Sequence, residues 1–100
     1  MVIWTDKAKK HITDFIDNAR SGTENIAKKY IFKLVEYTYM LDKMKCLGTQ
    51  LDKIHYVSNI GQLIYKSHRV IYIIENDEIY VLAVISTKID FKNYIKDNLI

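Results

Sequence analysis

The sequence predicts an α+β fold: an N-terminal strand, an antiparallel helical hairpin packed on a mainly antiparallel sheet of four or five strands, and a short C-terminal helix. Two observations lead to this prediction. Apolar residues recur at helical spacing over residues 8–41, and from Gly48 onward short runs rich in Ile, Val and Tyr replace that pattern, as is typical of strands. No repeat, low-complexity tract or linker divides the 100 residues, which favours a single domain over residues 1–100.

The first strand and the first helix are predicted close to the N-terminus. Val2–Trp4 is a short apolar run of strand-forming residues, and Thr5 follows it as a predicted helix N-cap. Apolar residues then recur three or four positions apart, so they form one stripe on a helix over about residues 6–19. The stripe consists of Ala8, Ile12, Phe15, Ile16 and Ala19.

A second helix is predicted after a short break in the pattern. Ser21 and Glu24 fit a capping box, and Thr23 is a competing N-cap. The apolar stripe that follows lasts about four turns and consists of Ala27, Tyr30, Ile31, Leu34, Tyr37, Thr38 and Leu41. Two amphipathic helices joined by so short a turn predict an antiparallel helical hairpin.

The second half of the chain is predicted to form the sheet. Strands are expected over residues 54–57, 62–65, 70–74 and 79–85. The polar residues 75–78 between the last two runs predict a hairpin tip. The final run is almost continuously apolar, which predicts a central strand covered on both faces. Residues 90–99 carry Phe91, Tyr94 and Ile95 and predict the short C-terminal helix.

Composition narrows the class of protein. Hydrophobic residues make up 49% of the chain, which excludes a disordered protein. The net charge of +3 permits a nucleic-acid or acidic-protein partner without requiring one. A lone Cys46 cannot form an intrachain disulfide, no apolar run reaches the roughly 20 residues of a membrane span, and residues 1–6 lack the order of a secretory signal. We therefore expect a cytoplasmic protein with no membrane partner.

Several kinds of catalytic or cofactor site are disfavoured by the sequence. Ser86 has no recognisable base and acid partners for a serine hydrolase. Cys46 and the three scattered histidines lack the spacing of zinc ligands, and no glycine-rich loop is present to hold a phosphate. The sequence therefore predicts neither a metal nor a cofactor.

Three stretches in the expected order resemble segments of the RelE/ParE toxin superfamily. Residues 3–8 (IWTDKA) resemble its opening strand-to-helix segment, residues 67–72 (SHRVIY) its "YRIIY" strand, and residues 84–91 (VISTKIDF) the closing "VIHTRRDF" segment of ParE-like members. The resemblance covers the whole chain and is closest to ParE-like members. It implies the toxin of a type II toxin–antitoxin pair, of the kind associated with plasmid stabilisation, which inhibits growth until a cognate antitoxin neutralises it.

The chain departs from the family pattern at several positively charged positions. Gly61 stands where ParE-like members often have the arginine of an "IREL" strand. Ser86 stands where many members have histidine, and Lys88 and Ile89 where many have two arginines. The lysine pair of RelE-like nucleases corresponds most nearly to Ile60 and Gln62. Much of the usual basic site is thus replaced, which leaves the mode of action open.

The resemblance leaves three functions to be weighed. The favoured one is a ParE-like toxin that binds a target such as DNA gyrase and performs no chemistry of its own. The alternative is a RelE-like endonuclease that cuts mRNA on the ribosome, for which the candidate catalytic residues are Arg69, Lys88, Tyr94 and His68, with His55 as a further candidate for proton transfer. The third is a decayed toxin that retains only antitoxin binding. Each candidate also has a structural interpretation, as a surface charge, a packing ring or a histidine with a structural hydrogen bond.

A cognate antitoxin is the partner that the resemblance implies for all three functions. It would be a short protein whose disordered tail folds over the sheet and helices, and an apolar groove flanked by charge would receive it. Phe15, Tyr30 and Tyr37 are the predicted contacts on the two helices. Both a homodimer and a toxin–antitoxin hetero-oligomer remain open.

Overall fold

A computed structural model describes residues 1–44, 48–50, 60–90, 93, 94 and 97 of the chain. The helices and strands follow one another in the order β1 (Val2–Trp4), α1 (Asp6–Asp17), α2 (Glu24–Tyr39), β2 (Thr49–Gln50), β3 (Ile60–Tyr65), β4 (His68–Glu75) and β5 (Glu78–Ser86). A single 3-10 turn, Met40–Asp42, extends α2. No helix within these residues is long and apolar enough to cross a membrane.

The strands form one sheet in the order β1-β5-β4-β3-β2. β1 pairs with β5 in parallel, and the other neighbouring strands are antiparallel. The predicted fold class is therefore confirmed, with an N-terminal strand and a helical hairpin on a mainly antiparallel sheet. β5 lies between β1 and β4, as its continuous apolar sequence predicts.

Thr5 makes the transition from β1 to α1. Its backbone N–H donates to the carbonyl oxygen of Val81 at 3.1 Å and so continues the pairing of β1 with β5. Its hydroxyl also donates to that oxygen, at 2.8 Å, and accepts from the N–H of Ala8 at 3.3 Å, as an N-cap does. The chain then turns away into α1, so β5 extends past the end of β1 toward Ser86.

The start of α2 differs from the favoured prediction. The predicted capping box of Ser21 and Glu24 is wrong, because the helix begins at Glu24 with Thr23 as the N-cap. The Glu24 carboxylate instead accepts from the N–H of Gly22 at 3.0 Å, and the Thr23 hydroxyl donates to the carbonyl of Arg20 at 2.6 Å. Gly22 has φ +86°, a left-handed conformation that suits glycine and turns the chain between the helices.

The sheet has an apolar cluster on each face. The larger cluster joins the sheet to the helical hairpin and consists of Val2, Ala8, Leu34, Leu41, Leu63, Val70, Tyr72, Ile79, Val81 and Val84. The smaller one, on the opposite face, consists of Ile60, Ile71, Ala83 and Ile85. Because β5 contributes to both clusters, it is covered on both faces, as predicted.

A β-bulge interrupts the pairing of β4 with β5. Ile71 pairs with Ala83, whereas the next residue, Tyr72, pairs with Val81. Leu82 is therefore an extra residue in β5. Before it, odd-numbered residues point their N–H groups away from β4, and after it even-numbered residues do so. Val84 consequently directs its N–H away from β4, toward α1.

Two hairpins join the last three strands. The tip between β4 and β5 is formed by Asn76 and Asp77, whose φ angles are both positive (51° and 64°), as a type I′ turn requires. This confirms the predicted polar tip. The β3–β4 hairpin turns at Lys66, which also has a positive φ of 51°.

Some predictions cannot be compared with the described residues. The strand predicted over residues 54–57 lies outside them, as does most of the C-terminal helix predicted over residues 90–99. The described residues delimit no C-terminal helix, although Asn93, Tyr94 and Asp97 have helical backbone. β2 was not predicted, because a strand of only two residues, Thr49–Gln50, is too short to show a recognisable alternation of side chains in the sequence.

Candidate functional site

A groove of about 730 Å³ lies between the helical hairpin and the end of β5. Its walls are mainly apolar, and the apolar lining residues are Ile12, Phe15, Ala19, Ile26, Ala27, Ile31, Val84, Ile85 and Ile89. Three large side chains are well exposed at this surface, namely Ile26 (68%), Ile89 (44%) and Phe15 (37%). A contiguous exposed apolar surface of this kind is typical of a site that binds a partner.

His68 lies at the groove in a cluster of aromatic rings. Its Nδ1 is 2.8 Å from the hydroxyl of Tyr30, and its ring lies edge-on to Phe15 with the centroids 5.1 Å apart. The Tyr30 hydroxyl is also 3.3 Å from the Tyr65 carbonyl and from the Ser67 hydroxyl. Burial lowers the pKa of His68, so the imidazole is neutral at pH 7. His68, Tyr30 and Ser67 are thus joined in one hydrogen-bonded cluster.

His11 binds the part of β5 that extends past β1. The backbone N–H of Val84 donates to His11 Nδ1 at 3.1 Å. Burial lowers the pKa of His11, and the nearby positive charges of Lys7 and Lys10 act in the same direction, against an opposing effect of Asp14. A neutral His11 thus satisfies a strand N–H for which the described residues provide no strand partner.

The predicted catalytic residues are divided between the two faces of the sheet. His68 and Arg69 are adjacent in β4, so their side chains point to opposite faces. His68 faces the helices, whereas Arg69 Nη1 donates to Gln62 Oε1 on β3 at 2.6 Å on the other face. The sequence grouped His68 with Arg69, but the fold does not bring them together.

Tyr94 and Lys88 follow β5. Tyr94 packs against the smaller cluster, on the face that carries Arg69, and also lines the groove. Its ring lies 5.7 Å from Lys7 Nζ, and burial raises the pKa of its hydroxyl. Lys88 is exposed in a turn, where its backbone N–H donates to the Ser86 hydroxyl at 3.1 Å. Of the described candidates, Arg69 and Tyr94 share a face; His55 lies outside the described residues.

Comparison with known proteins decides the family. Residues 2–91 match the family described as the ParE toxin of the type II toxin–antitoxin system, parDE. The chain belongs to the ParE toxin family. No curated protein matches it in sequence.

Two solved structures show the same fold as this ParE family member. One is described as a chromosomal ParDE TA system from P. aeruginosa; it has 18% sequence identity and a TM-score of 0.71, and the match covers 87% of this chain and 95% of that one. The other is the heterotetrameric YoeB–YefM toxin–antitoxin complex from Staphylococcus aureus, with 17% identity and a TM-score of 0.52, covering 83% of this chain and 91% of that one. At sequence identities this low, the two comparisons show a shared fold and no more.

The departure from the ParE pattern at Gly61 has a structural reason. Gly61 on β3 pairs directly with Tyr72 on β4, and the fully buried Tyr72 ring lies over it. A Cβ at residue 61 would lie 2.5 Å from Tyr72 Cζ. Any side chain at this position, including the arginine of the family pattern, would therefore collide with the ring. Gly61 is a packing residue of the core rather than a vacated cation site.

Sequence reasoning missed the residues that define the groove. His11, Arg20 and Ile26 all line it, and none was a predicted site residue. The predicted antitoxin contacts Phe15 and Tyr30 do line it, whereas Tyr37 packs against Tyr65 at 5.6 Å between ring centroids. The only sequence signal for His11 and Arg20 was that they are polar residues beside the apolar stripe of the first helix. Within the described residues, no group of three or more His, Cys, Asp or Glu side chains could hold a metal.

The two groove histidines predict how stability depends on pH. Their pKa values are lowered in the folded protein, so between the folded value and about 6.5 the unfolded chain binds more protons. The free energy of unfolding should therefore stay constant from pH 8 to 7 and fall as the pH decreases below about 6.5. Urea unfolding at half-unit pH steps measures this dependence.

Variants assign the pH dependence to each histidine. His11→Asn keeps an acceptor for the Val84 N–H without a titrating group, and His68→Phe keeps a ring against Phe15. Each should reduce the slope between pH 6.5 and 5. A slope that neither variant changes would show that other groups cause it.

Proposed function

We propose that this ParE family member is a toxin that inhibits growth by binding a cellular target such as DNA gyrase, and that a cognate antitoxin neutralises it. The groove is the single observation that carries the antitoxin part of the proposal. It is open, mainly apolar and about 730 Å³ in volume, and Ile26, Phe15 and Ile89 are exposed beside it. Such a surface suits an amphipathic segment that folds as it binds. The antitoxin complexes among proteins of the same fold are in keeping with this proposal.

The arrangement of the candidate catalytic residues favours binding over chemistry. Cleavage by a 2′-hydroxyl needs a base, an acid and cations around one phosphate. His68 is on the helix side with its Nδ1 bound by the Tyr30 hydroxyl, whereas Arg69 is on the other face and bound to Gln62. A single substrate phosphate on one face of the sheet therefore cannot contact both His68 and Arg69.

The alternative, an endonuclease that cuts mRNA on the ribosome, has one observation in its favour. Arg69 and Tyr94 lie on the same face of the sheet, and Lys88 follows at the end of β5. These three residues form a candidate set without His68. A decayed toxin would keep the groove and lose the growth inhibition.

Expression in bacteria separates the three functions. We expect growth to stop when the chain is induced alone and to recover when the adjacent reading frame is induced with it. Purified protein should then stimulate cleavage of DNA by gyrase and leave ribosome-bound mRNA intact. Ribosome-dependent cutting that Arg69→Ala and Lys88→Ala abolish would instead establish the endonuclease. Binding of the neighbouring protein without any growth arrest would establish the decayed toxin.

A further inference from the structure

We propose that His11 is a positioning residue of the groove: by accepting the backbone N–H of Val84, it holds the groove-lining half of α1 against β5, and the partner segment binds only while this hydrogen bond is intact. The inference rests on the proposed function, since the segment is taken to belong to the antitoxin. It makes binding at the groove depend on the protonation of one side chain.

The fold leaves one backbone N–H of β5 directed at α1. The pairing of β1 with β5 ends at Thr5, whose N–H donates to the carbonyl oxygen of Val81 at 3.1 Å. Beyond the extra residue Leu82, the N–H of Val84 points away from β4, and the described strands provide no neighbour on that side. Val84 is buried, and an unbonded N–H there would destabilise the fold. His11 Nδ1 accepts this N–H at 3.1 Å.

The direction of this hydrogen bond fixes the protonation state of His11. A backbone N–H only donates, so Nδ1 must be unprotonated, and the neutral imidazole then carries its proton at Nε2. An imidazolium has a proton on both ring nitrogens and cannot accept from Val84. The bond to β5 therefore exists only while His11 is neutral.

His11 divides α1 into an anchored half and a groove-lining half. Before it, the Thr5 hydroxyl caps the helix and the fully buried Ala8 packs in the larger cluster. After it, residues of the helix and of its C-terminal end line the groove, namely Ile12, Asp14, Phe15, Asn18 and Ala19. Among the described residues, the bond to Val84 is the only side-chain hydrogen bond from this helix to the sheet. Losing it would free this wall of the groove to move relative to β5.

The charged groups that act on His11 lie on α1. Burial contributes most to its lowered pKa, Lys7 and Lys10 lower the pKa further, and Asp14, which binds Lys10 Nζ at 3.0 Å, raises it. β5 presents only the uncharged residues 84–86 to the groove. The other titratable or charged side chains that line it are Arg20, Tyr30, His68 and Tyr94. A partner that covers the groove would bury His11 more deeply and so disfavour its imidazolium further.

The affinity for the partner should consequently fall in acid. In the free protein the groove is open, so a protonated His11 can leave Val84 and be hydrated. In the complex the partner covers this site, so binding requires the neutral form and releases a proton wherever the free side chain is charged. The affinity should be constant from about pH 8 to 7 and fall below about pH 6.5, by up to about tenfold per pH unit.

The test measures the affinity for the protein encoded by the adjacent reading frame from about pH 8 to 5.5 by titration calorimetry. His11→Asn places an acceptor oxygen on Cγ, where histidine carries Nδ1, so it should bind within about threefold of the unsubstituted chain at pH 7.5 and lose the acid-dependent fall. His11→Leu has no acceptor and should bind about tenfold more weakly at pH 7.5. Because the probe is the same throughout, its own ionisation contributes equally to every profile.

Lys7→Gln changes a quantity that a merely structural role of His11 would not affect. Lys7 is exposed, does not line the groove and lowers the pKa of His11 through its charge. Removing that charge should move the fall in affinity to higher pH. Lys9→Gln is the matched control, because Lys9 is exposed on the same helix and is not among the charges that act on His11. It should leave the profile where it is.

The remaining outcomes decide against the proposal in distinguishable ways. If the unsubstituted proteins form no complex, the proposed antitoxin function fails as well. If they form one whose affinity is independent of pH, or whose pH dependence His11→Asn leaves intact, only this inference fails. Binding by His11→Leu as tight as that of the unsubstituted chain would also overturn it. So would nitrogen-15 spectra of the chain alone at pH 7.5 with His11 protonated at Nδ1, since that atom would then not accept from Val84.

Discussion

Gly61→Ala is expected to lower the free energy of unfolding by about 3 kcal/mol. The added Cβ would lie 2.5 Å from Tyr72 Cζ and 2.8 Å from Tyr72 Cε2, distances that folded proteins do not accommodate without movement. Tyr72 is fully buried between the sheet and the helices, so its ring has no free space to move into. For a chain of 100 residues this loss corresponds to a melting temperature lower by roughly 12–24 °C. Calorimetry or thermal melts followed by circular dichroism measure it.

A double-mutant cycle with Tyr72 tests the steric cause. Tyr72→Val removes the ring, so Gly61→Ala should cost much less in that background. Tyr72→Phe keeps Cζ and should not relieve the clash. Gly22→Ala is the matched control, because Gly22 has φ +86° and no neighbour within 4 Å of an added Cβ. It should cost about 1 kcal/mol through backbone strain alone, independently of Tyr72. Equal costs at both glycines would contradict the steric explanation.

Ile26→Asp is expected to weaken antitoxin binding about 30-fold or more while leaving the fold intact. Ile26 is 68% exposed on α2 and lines the groove, so an aspartate there costs little in the free protein. In the complex, the carboxylate would be buried against an apolar segment, which costs roughly 2 kcal/mol or more. Titration calorimetry with the protein from the adjacent reading frame measures the loss. Growth arrest should also persist when that protein is co-expressed.

Phe32→Asp is the matched control for this prediction. Phe32 is 64% exposed on the same helix but does not line the groove, so the same substitution should change the affinity less than about threefold. If Phe32→Asp weakens binding as strongly as Ile26→Asp, the antitoxin binds the outer face of α2 instead of the groove.

Much of the fold could be predicted from the spacing of apolar residues, because a long apolar stripe or run is compatible with few secondary structures. The stripe from Ala27 to Leu41 and the apolar run of β5 each specify an element together with the face it buries. The residue at which a helix begins was less predictable. Ser21 and Thr23 both satisfy the N-cap preference, and the left-handed turn at Gly22 decides for Thr23.

The candidate site was predicted only in part, for a different reason. A family pattern indicates which residue types recur, but not which face of a strand they occupy in this chain. His68 and Arg69 are neighbours in sequence and lie on opposite faces of the sheet. The groove brings residues of α1 together with residues more than 60 positions later, such as His11 with Val84, and only the folded chain shows that contact.

The extra residue in β5 also constrains how the chain can vary in length. Before Leu82, the N–H groups of odd-numbered residues point toward β1, as that of Ile79 does in donating to Met1. After Leu82 the even-numbered Val84 points that way and meets His11. Removing Leu82 would therefore join Val81 directly to Ala83 in regular pairing with β4, and it would leave Val84 on the helix side and Ile85 on the other face. This ParE family member should accept the loss of Leu82 far more readily than the loss of Tyr80, which would shift the register of β5 against both β1 and β4.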